Sequence, residues 1–166
     1  MTHYHEVEHF DQIIELAKAQ ANESHNYKLN FNLPIKISAT HLSEPHFPDV
    51  EDIARDYHQE EKPSRLYLSH GQYYKGPDGI KYIINELNNK SDGNRAVLSL
   101  INQADIVGSG DNPIPSFMVM QFSRENQKDL YVTTYFRALE VSKFLRINLE
   151  EFRLIFQLIF QNHGTG

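Results

Sequence analysis

The stretch Asn112-Pro-Ile-Pro-Ser-Phe-Met-Val-Met-Gln-Phe122 passes from a proline-containing loop into a run rich in Met, Val and Phe. Proline interrupts regular hydrogen bonding, whereas β-branched and aromatic residues favour strands, so a strand is predicted from Ser116 to Ser123. Ser116, a small hydroxyl residue, stands at the junction, and the amide of Gln121 lies inside the apolar strand. A buried amide needs a hydrogen-bonding partner or a ligand. We therefore expect this strand to form the wall of a pocket.

The next apolar segment alternates with period two and predicts a second strand from Asp129 to Arg137, paired with the first as a hairpin across 124–128. Further strands are predicted over 96–101 and over 28–38, where Pro34 indicates an edge strand or a bulge.

Helices are predicted where apolar residues recur at helical spacing. They are expected over 9–22, over 49–57, from a cap at Pro77-Asp78 to about residue 88, from Ala138 to Phe144, and after Asn148, which stands three residues before Glu151 as in a capping box. The segments 71–76 and 105–115 lack such periodicity and are expected to be irregular. Because strands and helices cluster separately, the sequence predicts one α+β domain over 1–166, with a mixed or antiparallel sheet and helices packed on one face.

Composition excludes several classes of function. The chain has 166 residues, 40% of them hydrophobic and 23% charged, and a formal net charge of -6, which disfavours nonspecific binding to nucleic acid or acidic membranes. The absence of cysteine excludes disulfides, zinc–thiolate sites and thiol catalysis. No apolar run is long enough to span a bilayer and the N-terminus shows no signal region, so a cytoplasmic protein is expected.

The N-terminal histidines could bind a metal, since His5 and His9 would share a helix face. No third ligand follows at helical spacing, so we favour a solvated terminus and predict no metal site.

Three segments resemble thymidylate synthase. The run 78–102 is similar to the family's helix, arginine-bearing turn and following strand. Pro115-Ser116 with Gln121-Phe122 resembles the strand that carries the family's Pro-Cys-His motif. The segment 135–148 resembles its Tyr-Gln-Arg-Ser-x-Asp-Val motif, which ends in Asn at the same distance. The resemblance covers roughly residues 71–162.

The resemblance implies the thymidylate synthase-like fold and a homodimer packed through sheet faces. It also implies a cleft for a pyrimidine nucleotide monophosphate and a reduced folate. Arg137 matches the phosphate-binding arginine of the same chain, and Arg95 matches one of a pair that reaches across the dimer. Gln121 and Asn148 match amides of the cleft, with Asn148 as the expected pyrimidine reader. Glu140 stands where the family has Asp near the nucleotide.

Departures from the family pattern argue against catalysis. Ser116 occupies the position of the cysteine nucleophile, Phe117 replaces the following histidine, and Asn94 replaces the first arginine of the pair. A serine hydroxyl is un-ionised at neutral pH and needs an adjacent base, whereas a thiol is partly ionised. The chain also stops before the family's folate-lid region. We therefore expect an inactive protein without a cofactor.

Three hypotheses follow. The first is a catalytically inactive homodimer that binds the phosphate of a nucleotide. It would act as a sensing or scaffold subunit, and a protein partner is compatible with this role. The second is a pyrimidine C5 methyl- or hydroxymethyltransferase that uses Ser116 or water as nucleophile, and only this one needs reduced folate. The third is an α+β interaction module without a ligand site. Each residue also has a structural alternative: Ser116 as a small strand residue, Arg137 paired with Glu140, Arg95 as an exposed charge, and Asn148 as an N-cap.

Overall fold

In a computed structural model, the structure describes residues 3–23, 28, 31–76, 78–90, 93–125 and 129–162. Contacts within the chain form two compact units, which are treated separately below. The first unit comprises Met1–Ala54 and Glu140–Arg153, and the second comprises Arg55–Leu139 and Leu154–Gly166. The mixed α+β class predicted from the sequence is confirmed, with one parallel and one antiparallel sheet. The assignment of the whole chain to one domain stays a prediction.

In the first unit, strand β1 (His5–Val7) pairs in parallel with β2 (Ile35–Ile37). Helix α1 (Phe10–Glu23) follows β1 and buries the apolar stripe expected from its spacing, namely Phe10, Ile13, Ile14 and Ala17. The predicted strand over 28–38 is wrong in length, since only three residues pair and residues 29 and 30 lie outside the described part. The helix face that His5 and His9 were expected to share does not form, since His5 lies in β1 and α1 begins only at Phe10.

The first unit also contains the 3-10 turns Ala39–Leu42 and Pro48–Val50 and the start of helix α2 (Glu51–Tyr57). It ends with the first part of helix α6 (Phe144–Asn162). The sequence placed the start of α6 after Asn148, and this is wrong. The helix begins at Phe144, so Asn148 lies inside it and is buried rather than capping. The predicted helix over 138–144 is likewise wrong, since those residues form turns before α6.

The second unit contains a three-stranded antiparallel sheet in the order β3 (Ala96–Ser99), β4 (Phe117–Glu125) and β5 (Asp129–Phe136). The predicted hairpin of β4 and β5 is confirmed, although residues 126–128 of its turn lie outside the described part. Pairing shifts by one residue between Phe117 and Val119, where Phe117 lies opposite Phe136 and Val119 opposite Tyr135. A shift of this kind re-aims the end of a strand.

The two faces of this sheet differ in burial. Side chains on one face are buried, and α4 (Gly79–Asn89) packs against β3 and β4. The buried residues of this face are Ala96, Leu98, Met120 and Phe122. Because side chains alternate along a strand, the opposite face carries Val97, Gln121, Tyr131, Thr133 and Tyr135, all of which retain exposure to solvent.

Two short helices in the second unit were predicted to be irregular segments, and that prediction is wrong. Helix α3 (Gly71–Tyr74) packs so closely that a Cβ at Gly71 would lie 2.3 Å from the carbonyl oxygen of Gln59. Helix α5 (Gln103–Gly108) begins with a capping box formed by Asn102 and Asp105. At α4, Asp78 makes no side-chain cap bond and has φ 54°, while Pro77 lies outside the described residues.

Candidate functional site

The hairpin brings Ser116 and Arg137 together at one end of β4 and β5. The backbone N–H of Arg137 donates to the carbonyl oxygen of Ser116 at 3.0 Å. The Arg137 side chain folds along the preceding loop, where Nε donates to the Pro115 carbonyl and Nη2 to the Ile114 carbonyl, both at 3.3 Å. These four residues are called the Ser116–Arg137 corner. The resemblance implied that both residues belong to one nucleotide cleft, and the structure places their backbones side by side. The pocket wall expected from Ser116 and Gln121 stays a prediction.

Among the described residues of its own unit, no acidic side chain neutralises the charge of Arg137. Its residue surface is exposed, and among the described residues of that unit no carboxylate forms an ion pair with it. Its two side-chain bonds go to neutral carbonyls, which leaves further N–H donors of the guanidinium for another group. The corner is therefore a fixed cation with spare donors, the kind of group that binds phosphate or carboxylate.

Ser116 is half-buried, and its hydroxyl forms no hydrogen bond with any described residue. A serine nucleophile needs a base within hydrogen-bonding reach. No such base is seen at Ser116 in the described part of the chain.

Buried aromatic rings pack against the residues that adjoin the Ser116–Arg137 corner in sequence. Phe117 is fully buried and packs on Phe136 across the hairpin, with ring centroids 5.7 Å apart. The buried ring of His70 meets the edge of Phe117 at 5.5 Å and stacks on Tyr57 at 5.1 Å. Since Phe117 and Phe136 directly adjoin Ser116 and Arg137 in sequence, this packing limits the movement of both backbones.

Gln121 and Arg95 lie towards the other end of β4. The amide nitrogen of Gln121 donates to the Asn94 carbonyl at 3.1 Å, and the hydroxyl of Tyr82 donates to the Arg95 carbonyl at 3.0 Å. Arg95 precedes β3, whose first residue Ala96 lies opposite Phe122. At about 3.3 Å per residue, the Arg95 backbone is thus roughly 20 Å along β4 from Ser116. The structure places Arg95 with Gln121 and does not place either beside Arg137.

Glu140 and Asn148 belong to the first unit. Glu140 is exposed, and its carbonyl accepts hydrogen bonds from the backbone N–H groups of Phe144 and Leu145 at the start of α6. Asn148 is 8% exposed. Their predicted contact with a nucleotide stays a prediction.

The sequence analysis missed a buried charged network in the first unit. Glu150 accepts hydrogen bonds from the backbone N–H groups of His46 and Phe47 at 2.6 and 2.8 Å, and from Nε of Arg153 at 2.6 Å. Arg153 also pairs with Glu51 at 3.3 Å. The i,i+3 spacing of Glu150 and Arg153 is visible in the sequence, but their buried position is not.

His46 connects this network to α1. Its Nδ1 accepts the backbone N–H of Phe10 at 3.0 Å, and its ring stacks on Phe10 with centroids 4.1 Å apart. Its Nε2 donates to the His41 carbonyl, which fixes the neutral tautomer. Burial lowers the pKa of His46, since charging the ring in this environment is unfavourable. His46 thus serves as a structural cap for the first turn of α1.

His58 is a further buried histidine and lies, like His70, in the second unit. The hydroxyl of Tyr74, which is 1% exposed, hydrogen-bonds to Nδ1 of His58. Burial, aided by the nearby cations Lys75 and Arg55, lowers the pKa of His58 to about 4. Burial also lowers the pKa of the Lys75 ammonium. His58 is therefore neutral at pH 7 and acts as an acceptor.

A cavity of about 400 Å³ adjoins the loop that Arg137 contacts. Ile114, whose carbonyl binds Arg137, is part of its wall together with Tyr73, Ile101, Asp105 and Asn112. Asp105 is the one charged residue in that wall, so the cavity itself has no cation for a phosphate. Among the described residues, no group of His, Asp and Glu is arranged to hold a metal ion, and no described helix is long and apolar enough to cross a membrane.

Fold and site together define an α+β protein whose β-hairpin presents an arginine beside a serine. Comparison with known proteins does not narrow this description further, since no protein-family model matches the chain and no curated protein matches its sequence.

Proposed function

We propose that this chain is a catalytically inactive, thymidylate synthase-like protein that binds a pyrimidine nucleotide monophosphate as a homodimer and acts in sensing or as a scaffold. Arg137 binds the phosphate, and the resemblance implies roles in nucleotide binding for Arg95, Gln121, Glu140 and Asn148. The observation that carries the proposal is the hydrogen bond between the Arg137 N–H and the Ser116 carbonyl. The resemblance required a phosphate arginine and a nucleophile position to be neighbours, and these two residues are neighbours.

The state of Arg137 supports anion binding. A guanidinium that rests on neutral carbonyls keeps its full charge, and its planar donors match the oxygens of a phosphate. The carbonyls also hold the side chain in one conformation, which reduces the entropy lost on binding.

The surroundings of Ser116 support the absence of catalysis. Its hydroxyl has no base among the described residues, and the ring of the buried His70 packs on Phe117. Without a thiolate or an activated hydroxyl, covalent attack on a pyrimidine ring has no nucleophile.

The exposed face of the β3–β4–β5 sheet supports the homodimer. Its central side chains are uncharged, and Tyr135 and Tyr131 are 59% and 38% exposed. Exposed tyrosines and valines on a sheet face are typical of a protein interface. A second copy packed on this face is the occupant that the resemblance implies.

Calorimetric titration with dUMP and dCMP tests the proposal. The wild-type chain should bind at least one of them, and Arg137→Ala should weaken binding about 10- to 100-fold, because hydrogen bonds to a charged group contribute about 1.5–3 kcal/mol. Arg65→Ala is the matched control, since it removes an arginine of the same unit that already pairs with Asp56. It should leave the affinity within about twofold.

The same samples separate the alternatives. Tritium release from C5-labelled dUMP or dCMP above a protein-free background would show an active transferase and overturn the inactive assignment. Its loss in Ser116→Ala would identify Ser116 as the nucleophile, and its persistence would indicate water. An absence of binding to both nucleotides, together with an intact dimer in sedimentation, would leave an interaction module as the correct function.

A further inference from the structure

We infer that Gln121 and Tyr82 are positioning residues for Arg95, which they hold ready to contact the phosphate bound by a second copy of the chain. The inference rests on the proposed function, because it assigns the part that each of these residues plays at that site. Gln121 then acts through the backbone of the arginine turn rather than as a direct reader of the nucleotide.

The geometry places two donors on two consecutive carbonyls. The amide nitrogen of Gln121 reaches the Asn94 carbonyl at 3.1 Å from β4. The hydroxyl of Tyr82 reaches the Arg95 carbonyl at 3.0 Å from α4. The donors come from different secondary-structure elements and from positions 27 and 13 residues away in the chain. The turn is therefore fixed from two directions at the residue that carries the charge.

Both bonds go to the backbone and leave the guanidinium of Arg95 available. Arg95 is exposed, and no described residue of its unit forms a side-chain hydrogen bond or an ion pair with it. Arg124 shows the contrasting case in the same sheet, since its Nη1 donates to the Leu87 carbonyl at 2.8 Å. A turn whose backbone is fixed, and whose guanidinium is bound by no described residue of its unit, is an arrangement that binds an anion at low entropic cost.

The position of Gln121 explains why this arginine would serve another copy. Gln121 lies on the exposed face of the sheet, and through its amide the Arg95 turn borders that face. Within one chain Arg95 is roughly 20 Å from the Ser116–Arg137 corner along β4. A second copy packed on the exposed face is therefore the one to which Arg95 is presented.

The experiment measures dUMP affinity by calorimetry for Tyr82→Phe and Gln121→Met, which remove the donors without adding charge. Each should weaken binding about three- to tenfold, the effect of losing one ordinary hydrogen bond. In an Arg95→Ala background neither substitution should weaken binding further, because both act through that arginine. Tyr67→Phe is the matched control, since the Tyr67 side chain is 91% exposed and lies outside both the sheet and the arginine turn.

A second measurement needs no nucleotide. In the ligand-free protein, NMR relaxation of the Arg95 backbone amide and Nε–H should show greater mobility in Tyr82→Phe and Gln121→Met than in the control Tyr67→Phe. Unchanged mobility overturns the positioning role whether or not dUMP binds. A second outcome also overturns the inference: Arg137→Ala weakens dUMP binding as expected, but Tyr82→Phe and Gln121→Met bind dUMP as tightly as the wild type. The proposed function would then remain intact. Weakening that persists in the Arg95→Ala background would show that the donors act by another route and also overturns it.

Discussion

Arg153 in the first unit and Arg137 in the second show two opposite uses of a guanidinium. Arg153 is 2% exposed and pairs with the carboxylates of Glu150 and Glu51. Arg137 is exposed and contacts the carbonyls of Ile114 and Pro115. The first charge is compensated by its own unit, whereas the second is not. A buried, paired arginine indicates a structural role, and an exposed arginine held on neutral groups indicates a site for an external anion.

The partners of Arg153 clarify the difference. Glu150 also binds the backbone N–H groups of His46 and Phe47, so the pair organises a loop distant in sequence. No ligand is needed to explain any of these contacts. At Arg137 the contacts orient the side chain, and no carboxylate among the described residues of its unit pairs with it. This is why we propose an external anion as its partner.

The largest effect is expected for Arg153→Ala. Removing the guanidinium leaves the carboxylate of Glu150 buried with less compensation, and breaking a buried pair in this way costs about 3–5 kcal/mol. Urea unfolding followed by circular dichroism measures the change. Lys18→Ala, which removes an exposed partner of Glu15, is the control and should cost no more than about 0.5 kcal/mol. A loss below about 1 kcal/mol for Arg153→Ala would remove the contrast between the two arginines.

The second-largest effect is expected for the dependence of stability on pH, which the buried, neutral His58 should cause. The pKa of His58 is about 4 in the folded protein and near 6.5 when the chain is unfolded, so the unfolded state binds the proton more readily. Stability is therefore greatest above pH 6.5 and falls as the pH drops towards 4, by about 2 kcal/mol between pH 7 and pH 4.5. His58→Asn keeps an acceptor for Tyr74 but does not titrate, and it should lose less stability over that range.

The comparison of unfolding free energies at pH 7 and pH 4.5 isolates His58 because carboxylates titrate equally in both proteins. His3→Asn serves as control, since His3 is exposed. An equal loss in wild type and His58→Asn would mean that burial of His58 does not set the acid sensitivity of the chain.

Side-chain periodicity predicted the hairpin and helices α1 and α4, because each has a long apolar pattern matched to one type of structure. Short elements were missed. Helix α3 has four residues and depends on the close approach of Gly71 to Gln59, a contact that no local pattern encodes. For α5 a signal was available, since Asn102 and Asp105 stand at capping-box spacing.

In the candidate sites, too, features with a local sequence pattern were predicted, whereas those that depend on tertiary contacts were not. The hairpin predicted that Ser116 and Arg137 would lie at the same end of the sheet, but the shift at Phe117 sets which residues become neighbours. A strictly alternating pattern contains no information about this shift. The pairing of His46 with Glu150 spans 104 residues, so it follows from tertiary packing alone. The sequence shows the i,i+3 spacing of Glu150 and Arg153 but does not indicate that both residues are buried.

The smallest change in stability is expected for Arg137→Ala. It tests whether the guanidinium of Arg137, unlike that of Arg153, contributes little to the stability of the fold. The two side-chain bonds of Arg137 are long, at 3.3 Å, and lie at an exposed residue, so their loss should cost less than about 1 kcal/mol. Arg137→Lys should be equally mild, because lysine keeps the charge. Urea unfolding under the conditions used for Arg153→Ala gives both values. If Arg137→Ala were as destabilising as Arg153→Ala, its guanidinium would be a structural clamp for residues 114–116, and its binding defect could no longer be assigned to a lost phosphate contact.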